Sequence, residues 1–173
     1  MSEKWLNKVP LEIGYYIAGF VDGEGSFNVS LRRKKDYKLN WQIVLSFNVS
    51  QKDQVVLSMM KQYLECGIIK TRRHDGLHSY DVTNPTGIVK RVLPFFDRFE
   101  FISTSKKINY SIFKKIVYMM YAKKHLNKDG FVQILKLREK LNEGKGRTRK
   151  YSMEDVLKEV SPETTRQTPM RFE

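Results

Sequence analysis

The chain has 173 residues, with 32 Lys and Arg against 19 Asp and Glu, a formal charge of +13 and a pI near 9.8. Its 40% hydrophobic and 12% aromatic content suit one globular domain with a real core, and exclude both a disordered chain and two comfortable domains. The basic surplus points to a polyanion, nucleic acid first and an anionic membrane surface second, while the single cysteine, Cys66, excludes an internal disulfide and a thiolate-rich zinc site.

Leu11 to Asp22 is apolar and small and reads as a helix. Glycine inside a helix costs ~1 kcal/mol relative to alanine. Gly14, Ala18 and Gly19, which fall on i, i+4 faces of this helix, therefore suggest close approach to another backbone. The helix is expected to end at Gly23–Glu24–Gly25, where glycine permits positive φ. Strict alternation follows. Phe27, Val29 and Leu31 are separated by Asn28, Ser30 and Arg32. After a charged, turn-like gap from Arg33 to Leu39, the residues Trp41, Ile43, Leu45, Phe47 and Val49 alternate with Gln42, Val44, Ser46, Asn48 and Ser50. Period two predicts a hairpin with one wet face. That face lacks Asp and Glu, whereas an ordinary solvated face mixes signs, so it is a candidate nucleic-acid platform.

Lys52 to Cys66 has helical spacing, and Gly67 is expected to stop it. Ile69–Arg73 and Ser79–Thr83 are predicted to form a second hairpin around His74–Asp75–Gly76–Leu77. Lys70, Arg72 and His74 then share one face of its first strand, and Ser79, Asp81 and Thr83 one face of its second. Beyond the Asn84–Pro85 break, Thr86 to Phe99 is predicted to be helical, kinked or split at Pro94. Helices over Lys106–Lys123 and Gly130–Leu141 follow. These elements make residues 1–143 one α+β domain with helices on one sheet face. Residues 144–173 read as a basic, polar C-terminal tail with little core-forming capacity and one short helix at Met153–Val160.

No apolar run approaches the ~18 residues needed to span a bilayer. The N-terminal MSEKWLNKVP has no signal-type apolar core. An intracellular protein without a membrane partner is expected, with bacterial cytoplasm and organelle left undivided.

Chemistry is concentrated at Asp22 and Glu24, which flank Gly23 at the end of the first helix. Two carboxylates beside flexible backbone suit a hard divalent cation, although such a string is also a common turn. His74, His78 and His125 show no catalytic spacing, and no phosphate-cradling Gly-rich loop precedes a lysine. The acidic pair stands immediately before the acid-free strands.

The segment YIAGFVDGEG, Tyr16–Gly25, followed by Ser26, closely resembles the signature of the LAGLIDADG homing endonucleases. The element order matches that family over about residues 11–125, and Phe95–Phe96 through Ser105–Tyr110 is similar to its C-terminal region. The resemblance implies the LAGLIDADG αββαββα fold, with a curved antiparallel DNA-binding sheet and extra C-terminal helices. One motif in the chain implies a homodimer that makes metal-dependent double-strand breaks in double-stranded DNA at a near-palindromic site. Gly14, Ala18 and Gly19 are then expected at the dimer seam. Glu24 is the implied ligand of Mg²⁺, with Mn²⁺ or Ca²⁺ able to substitute for binding, and the Gly23 carbonyl is a further ligand. Asp22 ranks behind them, as a helix-end residue. Gln51 fits the polar residue that orders the water nucleophile, or else a helix N-terminal residue beside a Ser50 cap. Lys106, with Lys107 as the alternate, fits the lysine that stabilises leaving-group charge. A cofactor for folding its own intron RNA and a non-catalytic DNA-binding regulator are alternatives on the same fold; an acid at position 24 favours cleavage.

On that fold the strands lie in the major groove, where each base pair shows a distinct donor and acceptor pattern. Asn28, Ser30, Arg32, Gln42, Ser46 and Asn48 are the expected readers from the first hairpin. Lys70, Arg72, His74, Ser79 and Asp81 are those from the second. Lys34, Lys35, Lys38 and the 145–150 run are expected on phosphates, where they add affinity without sequence information.

Overall fold

Alternating apolar residues on three of its four strands supply one face of an antiparallel sheet, and the helices cover that face. The computed structural model describes residues 4–37, 39–142 and 149–160. In chain order these form α1 (Leu11–Glu24), β1 (Gly25–Arg33), β2 (Trp41–Gln51), α2 (Val55–Leu64), β3 (Ile68–Thr71), β4 (His78–Val82), α3 (Pro85–Gly87), a π-helical turn (Ile88–Val92), α4 (Leu93–Arg98), α5 (Thr104–Tyr121), α6 (Lys128–Lys140) and α7 (Met153–Val160). The sheet order is β1-β2-β4-β3. The expected α+β class and αββαββα order are both present, with α6 and α7 as the extra C-terminal helices. No helix among the described residues is long and apolar enough to cross a membrane.

The register sets which side chains meet. Phe27 pairs with Phe47 and Leu31 with Ile43 on the core face, and Phe47 pairs with Val82 across β2 and β4. Phe27 stacks on Phe47 at 5.2 Å between ring centroids and tilts against Phe113 of α5 at 5.1 Å. Such aromatic pairs add roughly 0.5–1.5 kcal/mol each beyond burial. The Tyr110 hydroxyl lies 2.8 Å from the Leu93 carbonyl and 2.7 Å from Asp97, tying α5 to α4.

Several local expectations are corrected. α1 runs to Glu24, but Gly25 leaves it at φ −80°, so no positive φ ends the helix. Glycine is needed at 25 for space instead: a Cβ there would meet the Val21 carbonyl oxygen at 2.8 Å. α2 stops at Leu64 because Glu65 itself turns left-handed, ahead of Gly67 at φ +77°. Pro94 does not break the chain's helical path. The π turn at Ile88–Val92 contains residue 90, whose carbonyl the proline ring would otherwise crowd.

The expected break at 143/144 also changes. Val156 is fully buried, and Tyr151, Met153, Leu157 and Val160 pack on the core, so 149–160 belongs to the domain and not to a polar tail. Residues 143–148 and 161–173 lie outside the described residues, as does Lys38. Arg138 makes this attachment. Its guanidinium donates to the Val29 carbonyl at 2.9 Å and to the Tyr151 carbonyl at 3.2 Å and 3.3 Å. Asn142 donates to the Phe27 carbonyl at 2.8 Å. Together they satisfy outward carbonyls of β1, an edge strand that would otherwise invite another strand to pair.

Candidate functional site

The last turn of α1, the first residue of β1 and the first turn of α5 meet at one end of the long hairpin. Asp22 joins two of them. Its Oδ2 accepts from the backbone N–H groups of Ile102 at 3.1 Å and Ser103 at 2.9 Å, and its Oδ1 accepts from the Ser103 hydroxyl. Burial pushes the Asp22 carboxyl up, but these hydrogen bonds and the Lys106 charge outweigh it and hold the group below the usual carboxylate range. Ser103 is also the N-cap of α5, accepting from the Lys106 N–H at 3.4 Å. The cap positions Lys106, whose ammonium donates to the Gly25 carbonyl. Burial lowers the Lys106 pKa, while Asp22 and Glu24 pull in the opposite direction.

Glu24 differs from Asp22. It is exposed at the carbonyl end of α1, and no basic residue occupies that last turn. Unpaired carbonyls there carry partial negative charge, which favours a cation. Asp22 has its oxygens committed, so of the two acids at this pole Glu24 is the one free for a ligand. The donor set fits a hard cation that keeps most of its waters: one carboxylate and neighbouring carbonyl oxygens. The described residues gather no group of three or more His, Cys, Asp or Glu that could hold a metal ion.

Of the two lysines, Lys106 sits at this pole and Lys107 is exposed beside it. Gln51 is not at the start of α2. It ends β2, and its Oε1 accepts from the Lys52 N–H at 2.9 Å. Ser50 is likewise a strand residue, paired with Ser79; Asp53 accepts from Val55 N–H at 2.8 Å at the start of α2.

The polar sheet face is continuous across the register. Asn28 stands opposite Ser46, Arg32 opposite Gln42, Asn48 opposite Asp81 and Lys70 opposite Ser79. Ser30 is exposed on the same face. Asn28 donates to Asn48 at 3.2 Å and to Ser26 at 3.0 Å, and Gln42 donates to the Tyr37 hydroxyl at 3.0 Å. Lys34, just past β1, is exposed. Asp81 accepts from Ser79 at 3.0 Å and lies 3.4 Å from the Lys70 ammonium. The second hairpin is shorter than expected, so Arg72 and His74 leave the strand face for the turn. There Arg72 and His74 lie 3.1 Å and 3.6 Å from Asp75.

The seam residues also separate. Gly14 is buried in the chain's own core, where an added Cβ would meet Phe99 Cδ1 at 2.6 Å, and Ala18 is 2% exposed. Gly19 and Gly23 are exposed, with nothing within 4 Å of an added Cβ, and Tyr16 beside them is 51% exposed. The Ser103 cap and the placing of Gly23 beside Gly19 on the exposed side of α1 are absent from the sequence expectations; a serine just before an apolar-periodic helix was the available signal for the first, and i, i+4 spacing for the second.

An exposed helix face, an acid-and-lysine pole and a polar sheet face thus stand together on one α+β domain. The LAGLIDADG endonuclease family model matches residues 17–117, and the chain belongs to that family. A probable intron-encoded endonuclease 2 of Neurospora crassa is 30% identical over 145 residues, which cover 82% of this chain and 32% of that protein. This chain thus spans about a third of that relative's length. Homing endonuclease I-ApeII of Aeropyrum pernix is 27% identical over 147 residues, covering 83% of this chain and 87% of the relative. The archaeal intron-encoded homing endonuclease I-Vdi141I, solved in complex with DNA, superposes with a TM-score of 0.78 at 28% identity, covering 86% of this chain and 94% of that one.

Proposed function

We propose that this chain is a site-specific DNA endonuclease that makes metal-dependent double-strand breaks at a long, near-palindromic target as a homodimer. The observation that carries the reading is Glu24: an exposed carboxylate at the carbonyl end of α1, sharing its pole with Lys106 and leading directly into the polar strands. The DNA-bound state of I-Vdi141I supports the substrate class.

Glu24 and the Gly23 carbonyl would hold the metal, with Mg²⁺ the natural choice and Mn²⁺ or Ca²⁺ able to occupy the same oxygen donors. When bound, such an ion lowers the pKa of its water and offsets charge on a reacting phosphate. Lys106, held on the Gly25 carbonyl, would meet negative charge on the leaving oxygen. Asp22 orients Lys106 through Ser103 and does not hold the metal. Gln51, which ends β2 two positions beyond Val49, the partner of Gly25, would order the attacking water. Base contacts fall to Asn28, Ser30, Arg32, Gln42, Ser46, Asn48, Lys70 and Ser79, while Lys34 and Lys35 meet phosphates. The dimer forms through the bare face of α1, at Tyr16, Gly19 and Gly23, where two glycines one turn apart allow backbones to approach.

The test is incubation of the purified protein with a plasmid library of long randomised sites, with Mg²⁺ or with chelator. Metal-dependent linearisation of a bound site is expected. A library that contains a bound site and yields no double-strand break overturns the activity.

A further inference from the structure

From Phe101 to Lys128 the chain holds seven lysines and no Asp or Glu, and the site described above uses only Lys106. Most of this stretch is α5. The inner face of α5 is spent on the core, with Phe113 and Tyr110 against Phe27 at 5.1 Å and 5.4 Å. β1 presents its polar residues on the opposite side of the sheet, so the outer face of α5 lies across the whole helix layer from the DNA platform. A duplex seated on the polar strand face lies on the side of the sheet away from this helix layer.

That outer face has a definite composition. Tyr118 and Tyr121, 47% and 72% exposed, stand about one turn apart. Lys115 precedes them and Lys123 and Lys124 follow, all exposed. Lys114 is committed to Asp97, at 2.6 Å and 2.7 Å from its two oxygens, and contributes little net charge. A groove of about 510 Å³ runs alongside, lined by Ser111, Lys115, Tyr118, Ala122 and Lys124 among others. The Lys114 ammonium lies over the Tyr118 ring, 6.0 Å from its centroid, so ring and cation already share this face. Bases that have left a duplex stack on such rings, and flanking lysines track the phosphates between them. A duplex hides its base faces and would use only the lysines.

We infer that the outer face of α5 is a second nucleic-acid surface, one that takes a single-stranded polynucleotide with its bases on Tyr118 and Tyr121 and its phosphates on Lys115, Lys123 and Lys124. RNA and DNA share this chemistry, and the experiment separates them.

The full chain is titrated by fluorescence anisotropy against labelled mixed-sequence single-stranded RNA, single-stranded DNA and a blunt duplex. Wild type is compared with the double variants Tyr118→Ala/Tyr121→Ala, Tyr118→Phe/Tyr121→Phe and Lys115→Glu/Lys123→Glu. The alanine pair should weaken single-strand binding roughly 5-fold to 100-fold, from loss of base stacking. The phenylalanine pair should bind like wild type, the glutamate pair should bind weakly, and duplex affinity should stay unchanged in the alanine pair. The RNA-to-DNA affinity ratio then identifies the natural strand. The inference is overturned if the alanine pair binds single strands like wild type, or loses duplex binding to the same degree. It is also overturned if the face prefers phosphatidylserine vesicles to single strands and that preference falls with the same variants.

Discussion

Replacing Gly14 and Gly19 separately with alanine distinguishes the two reasons a helix carries small residues. At Gly14 the new methyl would stand 2.6 Å from Phe99 Cδ1. Phe99 is fully buried and is held by Phe95 at 5.0 Å and Tyr15 at 5.4 Å, so its ring cannot swing aside. Overpacking of this kind costs ~1–3 kcal/mol, against ~1 kcal/mol returned by the better helix former. The net is a loss of up to about 2 kcal/mol, or a fall in Tm of up to roughly 8 °C for a domain of this size. Gly19 has nothing within 4 Å of the added Cβ. The same substitution there should raise the stability of the isolated subunit by up to ~1 kcal/mol, while pushing two α1 backbones apart. Thermal melts at low and high protein concentration, with sedimentation alongside, read both effects. Equal stabilisation by the two substitutions would refute the packing argument. Unchanged self-association of Gly19→Ala would refute the seam.

Arg138→Met removes the donor to the Val29 and Tyr151 carbonyls; it should destabilise the fold by on the order of 2–4 kcal/mol and expose 149–160 to protease, as measured by denaturant melts and limited proteolysis. Lys106→Met should lower cleavage about 100-fold with target affinity within about twofold, whereas Lys107→Met should cleave normally; the reverse order in single-turnover rates would transfer the role. The attachment of α7 should depend on acid. Asp155 accepts from the Ser152 hydroxyl at 2.7 Å while Ser152 accepts from the Asp155 N–H at 3.1 Å, and these bonds hold the Asp155 carboxyl below its ordinary value. A depressed folded pKa contributes stability that is complete above the unfolded value, ~3.9, and is lost as pH falls through the folded one. Protection factors of the amides in 153–160, with intrinsic exchange at each pH divided out, should therefore hold steady from neutral pH down to about 4 and fall further below it in wild type than in Asp155→Asn.

The fold was legible because period-two alternation in β1 and β2 is long and strict, and because one face of each strand must be dry. The second hairpin was less legible. β3 has only four residues, so little alternation was available to fix its ends, and Arg72 and His74 were carried onto a strand that stops at Thr71. The α1 glycines show a different limit. Spacing reveals that a residue must be small, but not which neighbour demands it. Gly14 makes room for Phe99, 85 positions downstream, and only tertiary structure connects them. Lys106 was the expected lysine with Lys107 its alternate, and what separates their positions is where the Ser103 cap sets the first turn of α5. The 149–160 segment was misread because its mean polarity hides one apolar stripe. The Ser152-x-x-Asp155 capping box was the overlooked signal.

The most direct test of the account is Glu24→Gln, which keeps the shape of the side chain and removes its charge. With a target recovered from the cleavage library, affinity is measured in Ca²⁺-free buffer and cutting in Mg²⁺. The account predicts that Glu24→Gln binds the target within about threefold of wild type and loses cutting by a factor of at least roughly 100. Cutting at the wild-type rate by Glu24→Gln would contradict it.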